Sequence, residues 1–458
     1  MKKKTATIVC IVLLLFGFAV YNKDFFYRAS AADNLSIENE TLQESSVTTL
    51  DSVSEKANNG FRIATIPEVV AYGSGNDKAF FELHLNDDGS YRICSTNYRE
   101  KTQSYICTDS NCDHSNMDCS ARIEAFPGIV FPVALNERLV LVYSSNSRPD
   151  EAFVPSKIEA MDLDGTNRRI VCTFPENVRI AVGAATDEEN IVVVIHKTER
   201  SENEVSIIHS LLKINTVTGE QTELYSVAAQ PDDLIKSFFL RGTTDDGFVL
   251  KTITTKQYEE CDNFKEMEEN CRQATTHEVF LLPYDNSSVK PLLSYKQDDC
   301  FEKVYSNQVI YLKNENEKYV LKTIETGTGE ERTIVDDFSK HEMQSIQDRP
   351  FRDTFITGFV GNHVLLNHLY EEHQLDNGSL ELLYKQFAID LNTGESKEIK
   401  YSNYYSLATH PLIILAENDG ELLTYKDIEE TDCETVFRKG MITVEDYLDS
   451  IDSFEMVD

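Results

Sequence analysis

FAIDLNTGESKEIKY, residues 387–401, carries the pattern of a β-hairpin. Phe387, Ile389 and Leu391 alternate with smaller or polar residues, as a half-buried strand requires. Asn392-Thr393-Gly394 then turns the chain, the glycine supplying the positive φ of a tight turn, and residues 396–401 form the return strand. The unit recurs as KINTVTGEQTELYSV (213–227) and TIETGTGEERTIVDD (323–337). Weaker copies are AMDLDGTNRRIVCTF (160–174), PYDNSSVKPLLSY (283–295) and LNDDGSYRICS (85–95).

A second element recurs beside these hairpins, a short turn followed by a strongly apolar strand. Its copies are NERLVLVYS (136–144), EENIVVVIHK (188–197), DDGFVLKTIT (245–254), SNQVIYLK (306–313), GNHVLLNHL (361–369) and HPLIILAEN (410–418). Each unit reads as an apolar inner strand, a variable loop and an outer T-G-E-type hairpin. Helical periodicity is nearly absent, with residues 443–451 as one short candidate. The fold class is therefore all-β: a β-propeller of about seven four-stranded blades, with six or eight as neighbouring counts and a β-sandwich array as the alternative. Closure of the ring is expected from pairing of N- and C-terminal strands.

Composition sets limits on function. The formal charge of −35 argues against nucleic acid, whose phosphates need a basic surface, and fits a soluble domain that repels anionic surfaces or one that receives cationic partners. The absence of tryptophan disfavours a sugar-stacking platform, although 21 tyrosines can substitute. Lys2, Lys3 and Lys4 precede an apolar run over 8–21, the pattern of an export signal. Residues 1–30 read as a signal peptide cleaved near Ala29-Ser30-Ala31 or as an uncleaved membrane anchor. Residues 31–60 are polar and acidic, a linker unable to bury enough surface to fold. The propeller ectodomain spans 61–458, at the cell membrane outside the cytoplasm, or secreted if the leader is cleaved.

Cys107, Cys112, His114 and Cys119 fall in a C-x4-C-x-H-x4-C run. Three thiols and an imidazole suit a tetrahedral zinc ion, and four protein ligands would make that zinc structural. The competing reading is a disulfide, since exported cysteines are often oxidised. Cys261 and Cys271 bracket nine residues and are expected to form a second bridge. The run, completed by Ala121, together with the hairpins and the N-terminal segment, resembles exported propeller-like proteins of Gram-positive bacteria with TolB-like or WD-like architecture. The resemblance covers residues 61–458; it implies fold and location and no established activity.

Enzyme signatures are missing: the chain has no G-x-S-x-G elbow, H-E-x-x-H helix or P-loop. His363, His368 and His373 are spaced too loosely for one metal site, and Asp162–Gly165 reads as an Asx-type turn and not a calcium loop. The expectation is a non-enzymatic, membrane-tethered propeller that binds a protein, peptide or other ligand through acidic loops at 146–157, 197–205, 255–277 and 370–382. The alternative is a propeller hydrolase or lyase using channel carboxylates.

Overall fold

The computed structural model describes residues 60–458 apart from 66–72, 110, 115, 117, 147–152, 201–204, 231, 259–262, 286, 297–299, 316–317, 340–353, 375–379, 406–407 and 431–434. Its strands form seven sheets that follow one another along the chain, antiparallel except for one parallel pair, Leu382 with Ala408. Blades one to seven occupy 74–105, 128–173, 178–228, 233–296, 300–339, 354–410 and 413–456. The first strands of blades one and two touch, as do those of successive blades from three to six; the first strands line the axis, and later strands lie progressively outward. The expected count of about seven blades holds.

The apolar strands take the second position in blades two to six, not the innermost as the sequence suggests; in blade seven the copy is the first strand, Ile413–Asn418. A second strand is covered by a neighbouring blade on both faces, so both of its side-chain rows must be apolar. In Gln308–Glu315, Val309 and Tyr311 pack towards blade four, while Ile310 and Leu312 pack towards blade six. In Arg138–Ser145, Leu139 and Leu141 face blade one, and Val140 and Val142 face blade three. The core is thus a ring of clusters between blades, each large side chain contributing about 1.5–3 kcal/mol on burial.

All three T-G-E glycines have positive φ, and two of them, Gly219 and Gly394, also abut the neighbouring sheet. At Gly219, φ is +75° and an added Cβ would lie 2.5 Å from the carbonyl oxygen of Val171 in blade two. Gly394 repeats this against Ile334 of blade five at 2.6 Å. The preceding acid or amide closes each turn: Asn215 Oδ1 accepts from the amides of Val217 and Thr218, and Asp390 Oδ1 from those of Asn392 and Thr393. Arg169 and Arg332 then donate to carbonyls of the adjoining turn. The copy at 85–95 differs. It joins the second and third strands of blade one, Ala79–Leu85 and Tyr91–Asn97, at the opposite face from the T-G-E turns.

Closure also departs from expectation, because blade seven is built wholly from C-terminal strands. The strand Arg62–Thr65 pairs instead with the first strand of blade three, Val178–Thr186, and touches the first strands of blades one, two and four. Blades seven and one meet through apolar packing of Phe80 and Tyr98 on Ile413, Leu415 and Met441. Two main-chain bonds add to this, from Gln103 N to Asp458 O at 2.7 Å and from Asp458 N to Lys101 O at 3.1 Å. Buried Lys439 donates to Glu82 across the same seam. The leader and linker assigned to residues 1–59 lie outside the described residues. Among the described residues, no helix is long and apolar enough to cross a membrane.

Candidate metal centre

Blade one shares the outer edge of its third strand between two segments. Thr102–Tyr105 pairs with residues 94–97, and Arg122–Ile123 pairs with Tyr91 and Arg92. The chain between them loops outward and carries the cysteine–histidine run. Short turns fold it, with Cys112 N donating to Asp109 O at 3.1 Å and Cys119 N to Asn116 O at 3.2 Å. His114 adopts a positive φ of 57°, which swings its ring back over the loop to 5.0 Å from Tyr105.

These turns bring the ligand atoms of Cys107, Cys112, His114 and Cys119 within 4.8 Å of one another. His114 Nδ1 lies 3.4 Å from Cys119 Sγ, and the His114 amide donates to Cys112 Sγ at 3.3 Å. None of the three cysteines is disulfide-bonded. Burial pushes the Cys119 thiol up to about 11. Cys107 is held below the ordinary thiol value, first by backbone hydrogen bonding at Asp109 and then by the Cys119 and Cys112 sulfurs. Three sulfurs and one imidazole nitrogen at this spacing can hold a metal ion, with no protein-free coordination position.

The run sits at the rim between blades one and two, not among the long loops where its role as a blade connection would put it. Ser120 Oγ donates to Ile106 O at 3.0 Å and to Asp164 O at 3.3 Å, and Arg168 of blade two donates to Ser120 O and Arg122 O. Gly165 abuts Ile106 and Ser120, so the cysteine–histidine loop caps the Asp162–Gly165 turn. That turn is of Asx type, Asp164 Oδ1 accepting from the amide and hydroxyl of Thr166.

The other sequence candidates are dispersed. Cys271 lies in helix α1, Phe264–Ala274, and its expected partner Cys261 falls outside the described residues. His363 approaches Asp390, His368 bonds Thr354, and His373 lies 2.8 Å from Glu371, so the three histidines share no site. Sequence reasoning missed the cluster of Glu82, His84 and Cys94, whose ligand atoms are also within 4.8 Å. Glu82 there is already committed to Lys439 and His84, which makes the cluster an ion-pair seam. Its partner is 357 positions away, a separation no local pattern reveals. The buried carboxylates among the described residues, Glu82, Glu159 and Glu302, are each ion-paired, to Lys439, Lys157 and Lys251.

No protein-family model matches the chain, and no curated protein does. Solved structures do. A Mycobacterium tuberculosis puromycin-hydrolysing peptidase aligns over 92% of this chain at 10% identity and TM-score 0.44. The alignment spans 56% of that peptidase. The propeller domain of the Trilobed protease from Pyrococcus furiosus aligns over 86% of this chain and 98% of its own, at 10% identity and TM-score 0.41. TolB from Acinetobacter baumannii aligns over 82% and 78%, at 10% identity and TM-score 0.31. At such identities the likeness concerns the fold alone. The expectation of a non-enzymatic chain is nevertheless corrected: peptidases and an oligogalacturonate lyase stand among these propellers, so missing motifs do not exclude an activity.

Proposed function

We propose that the chain is an extracytoplasmic propeller, tethered through its N-terminal segment, that captures a cationic peptide or protein on the face opposite the tether. One observation carries this reading. The chain enters the ring at Gly60 and Phe61 on the T-G-E face, where Phe61 stacks on Tyr284 and Arg62 bonds Glu188 in the turn between the first two strands of blade three. The longest excursions leave from the other face. They are the paired strands Asn190–Arg200 with Val205–Asn215, the paired strands His363–Gln374 with Leu380–Asp390, and helix α1. Loops gathered on one face of a repeat fold form its binding surface, and the net charge of −35 selects cations. The cysteine–histidine loop serves as a zinc staple for the rim in this reading.

Replacing residues 257–274 by a short Gly-Ser turn tests it. Capture of a labelled oligolysine peptide should fall at least tenfold while thermal unfolding is unchanged; full retention of binding would refute a role for this excursion.

A second reading, hydrolysis or elimination performed on the captured ligand, rests on Glu372. Its Oε2 is buried without a hydrogen-bond partner, and burial raises its pKa. A carboxyl held above its ordinary value by burial, with an unpaired oxygen, is a candidate proton donor or acceptor. Glu372→Gln should then abolish turnover in a peptide and glycan panel and leave capture intact.

A further inference from the structure

We propose that the cysteine–histidine loop of blade one is a thiol switch, in which hydrogen peroxide joins Cys107 to Cys112 as a disulfide and expels the bound metal. It rests on the zinc staple proposed for this loop and adds regulation to it. Zinc and disulfide, the competing readings of the run, become two states of one loop.

The ligands divide by exposure. Cys119 is 6% exposed and packs with Ile106, Ala121 and Ile123 in the cluster between blades one and two. Cys107, Cys112 and His114 are only half-buried, at the rim. The two accessible sulfurs lie within 4.8 Å of each other and neither is disulfide-bonded. The turn at Asp109, whose carbonyl accepts from the Cys112 amide at 3.1 Å, already folds one cysteine back towards the other. A disulfide needs about 2 Å between its sulfurs, so rotation of the two side chains in this short loop can join them. Oxidants select accessible thiolates that have a second thiol in reach, and zinc holds its cysteines as thiolates. A zinc site that presents two of its three sulfurs to solvent meets both conditions.

The reaction balances without a further reagent. One of the two accessible thiolates attacks the peroxide: an S–O bond forms, the O–O bond breaks, and the leaving hydroxide takes a proton to become water. The other thiolate attacks the resulting sulfenic sulfur: an S–S bond forms, the S–O bond breaks, and a second hydroxide leaves and is protonated. The two thiolates lose two electrons, and the peroxide accepts both. Zinc then keeps only His114 and Cys119 and dissociates, since a stable protein site needs a fuller ligand set. Ala121 and Ile123, 0% and 2% exposed, anchor the return arm, so blade one keeps its edge and Cys119 is left as a lone thiol.

The full chain, reduced and loaded with zinc, is treated with hydrogen peroxide while a chromogenic chelator reports free zinc. About one zinc per chain should be released. Peptide mapping should find Cys107 linked to Cys112 and Cys119 open to alkylation, and dithiothreitol with added zinc should reverse both changes. Cys112→His keeps four zinc ligands but removes the second accessible thiol, so peroxide should release its zinc at least tenfold more slowly. A reduced chain that takes up no zinc would overturn the zinc staple and the switch together. Zinc retained under peroxide, a linkage through Cys119, or release from Cys112→His at the wild-type rate would overturn the switch and leave the zinc staple standing.

Discussion

Arg62 Nε lies 3.1 Å from Glu188 Oε1, and this pair fixes where the chain enters the propeller. The same guanidinium donates to Ala134 O at 2.5 Å and Gly75 O at 3.3 Å, so one side chain joins the inner edges of blades one, two and three. Glu188 in turn accepts from the Asn136 amide at 2.5 Å. Arg62 is 3% exposed, and removing one partner of such a pair leaves the other charge and two carbonyls stranded. Arg62→Ala should cost roughly 3–5 kcal/mol in urea unfolding. A loss within about 0.5 kcal/mol, the range of ordinary surface substitutions, would show that the N-terminal strand is dispensable.

The turn glycines allow a controlled comparison. Gly219 and Gly329 have φ of +75° and +74°, but an added Cβ at Gly219 meets the Val171 carbonyl, and at Gly329 it meets nothing within 4 Å. Alanine at 329 should cost about 1–2 kcal/mol, the left-handed backbone penalty alone. Alanine at 219 should cost more, because blades two and three must also move apart. Equal losses in denaturant unfolding would remove inter-blade contact as the reason for the motif.

Three histidines set an acid limit on stability. Burial lowers His196 to about 3, with the neighbouring His209 charge adding to it, and lowers His209 and His277 to about 4. The fold therefore holds them neutral where the unfolded chain, titrating near 6.5, is already charged. Their contribution is fully present above pH 6.5 and is lost as pH falls towards 4. At pH 5 unfolding should take up about three protons from these groups, measurable as the slope of stability against pH. A slope below one proton would show that the three rings are solvated.

Metal content is a direct readout of the rim loop. The purified chain should carry about one zinc, lost in His114→Ala, with Cys107, Cys112 and Cys119 becoming titratable thiols after chelation. Melting temperature should fall on chelation while the blades keep their sheet signal, because the loop is peripheral to the inter-blade clusters. Finding no metal and no free thiol at these positions would make the loop a disulfide staple.

Much of this fold can be read from short-range chemistry. The N-T-G and T-G-E turns and the apolar strands depend on neighbours within a few residues. Strand position does not: Val309 and Ile310 read alike in sequence, and only the neighbouring blades decide that their strand is second and not first. Closure is invisible for the same reason, since Glu82 and Lys439 meet across the whole chain. Helix α1 was accessible in principle. FKEMEENCRQA contains strong helix formers and an i,i+3 pair, Glu269 to Arg272, but the flanking cysteines suggest a disulfide loop instead.

The decisive measurement compares the two faces of the ring by charge neutralisation. Glu266, Glu269 and Glu371 are exposed on the excursions of the face opposite the T-G-E turns, and Glu220, Glu330 and Glu395 are exposed on the T-G-E turns. Each triple Glu→Gln variant removes three charges, so anisotropy of a labelled oligolysine peptide at low salt separates face from net charge. Capture by the face opposite the T-G-E turns predicts a large loss of affinity in the Glu266, Glu269, Glu371 variant and little change in the other. Equal losses would reduce binding to overall charge, and a loss confined to the T-G-E variant would place capture on the T-G-E face.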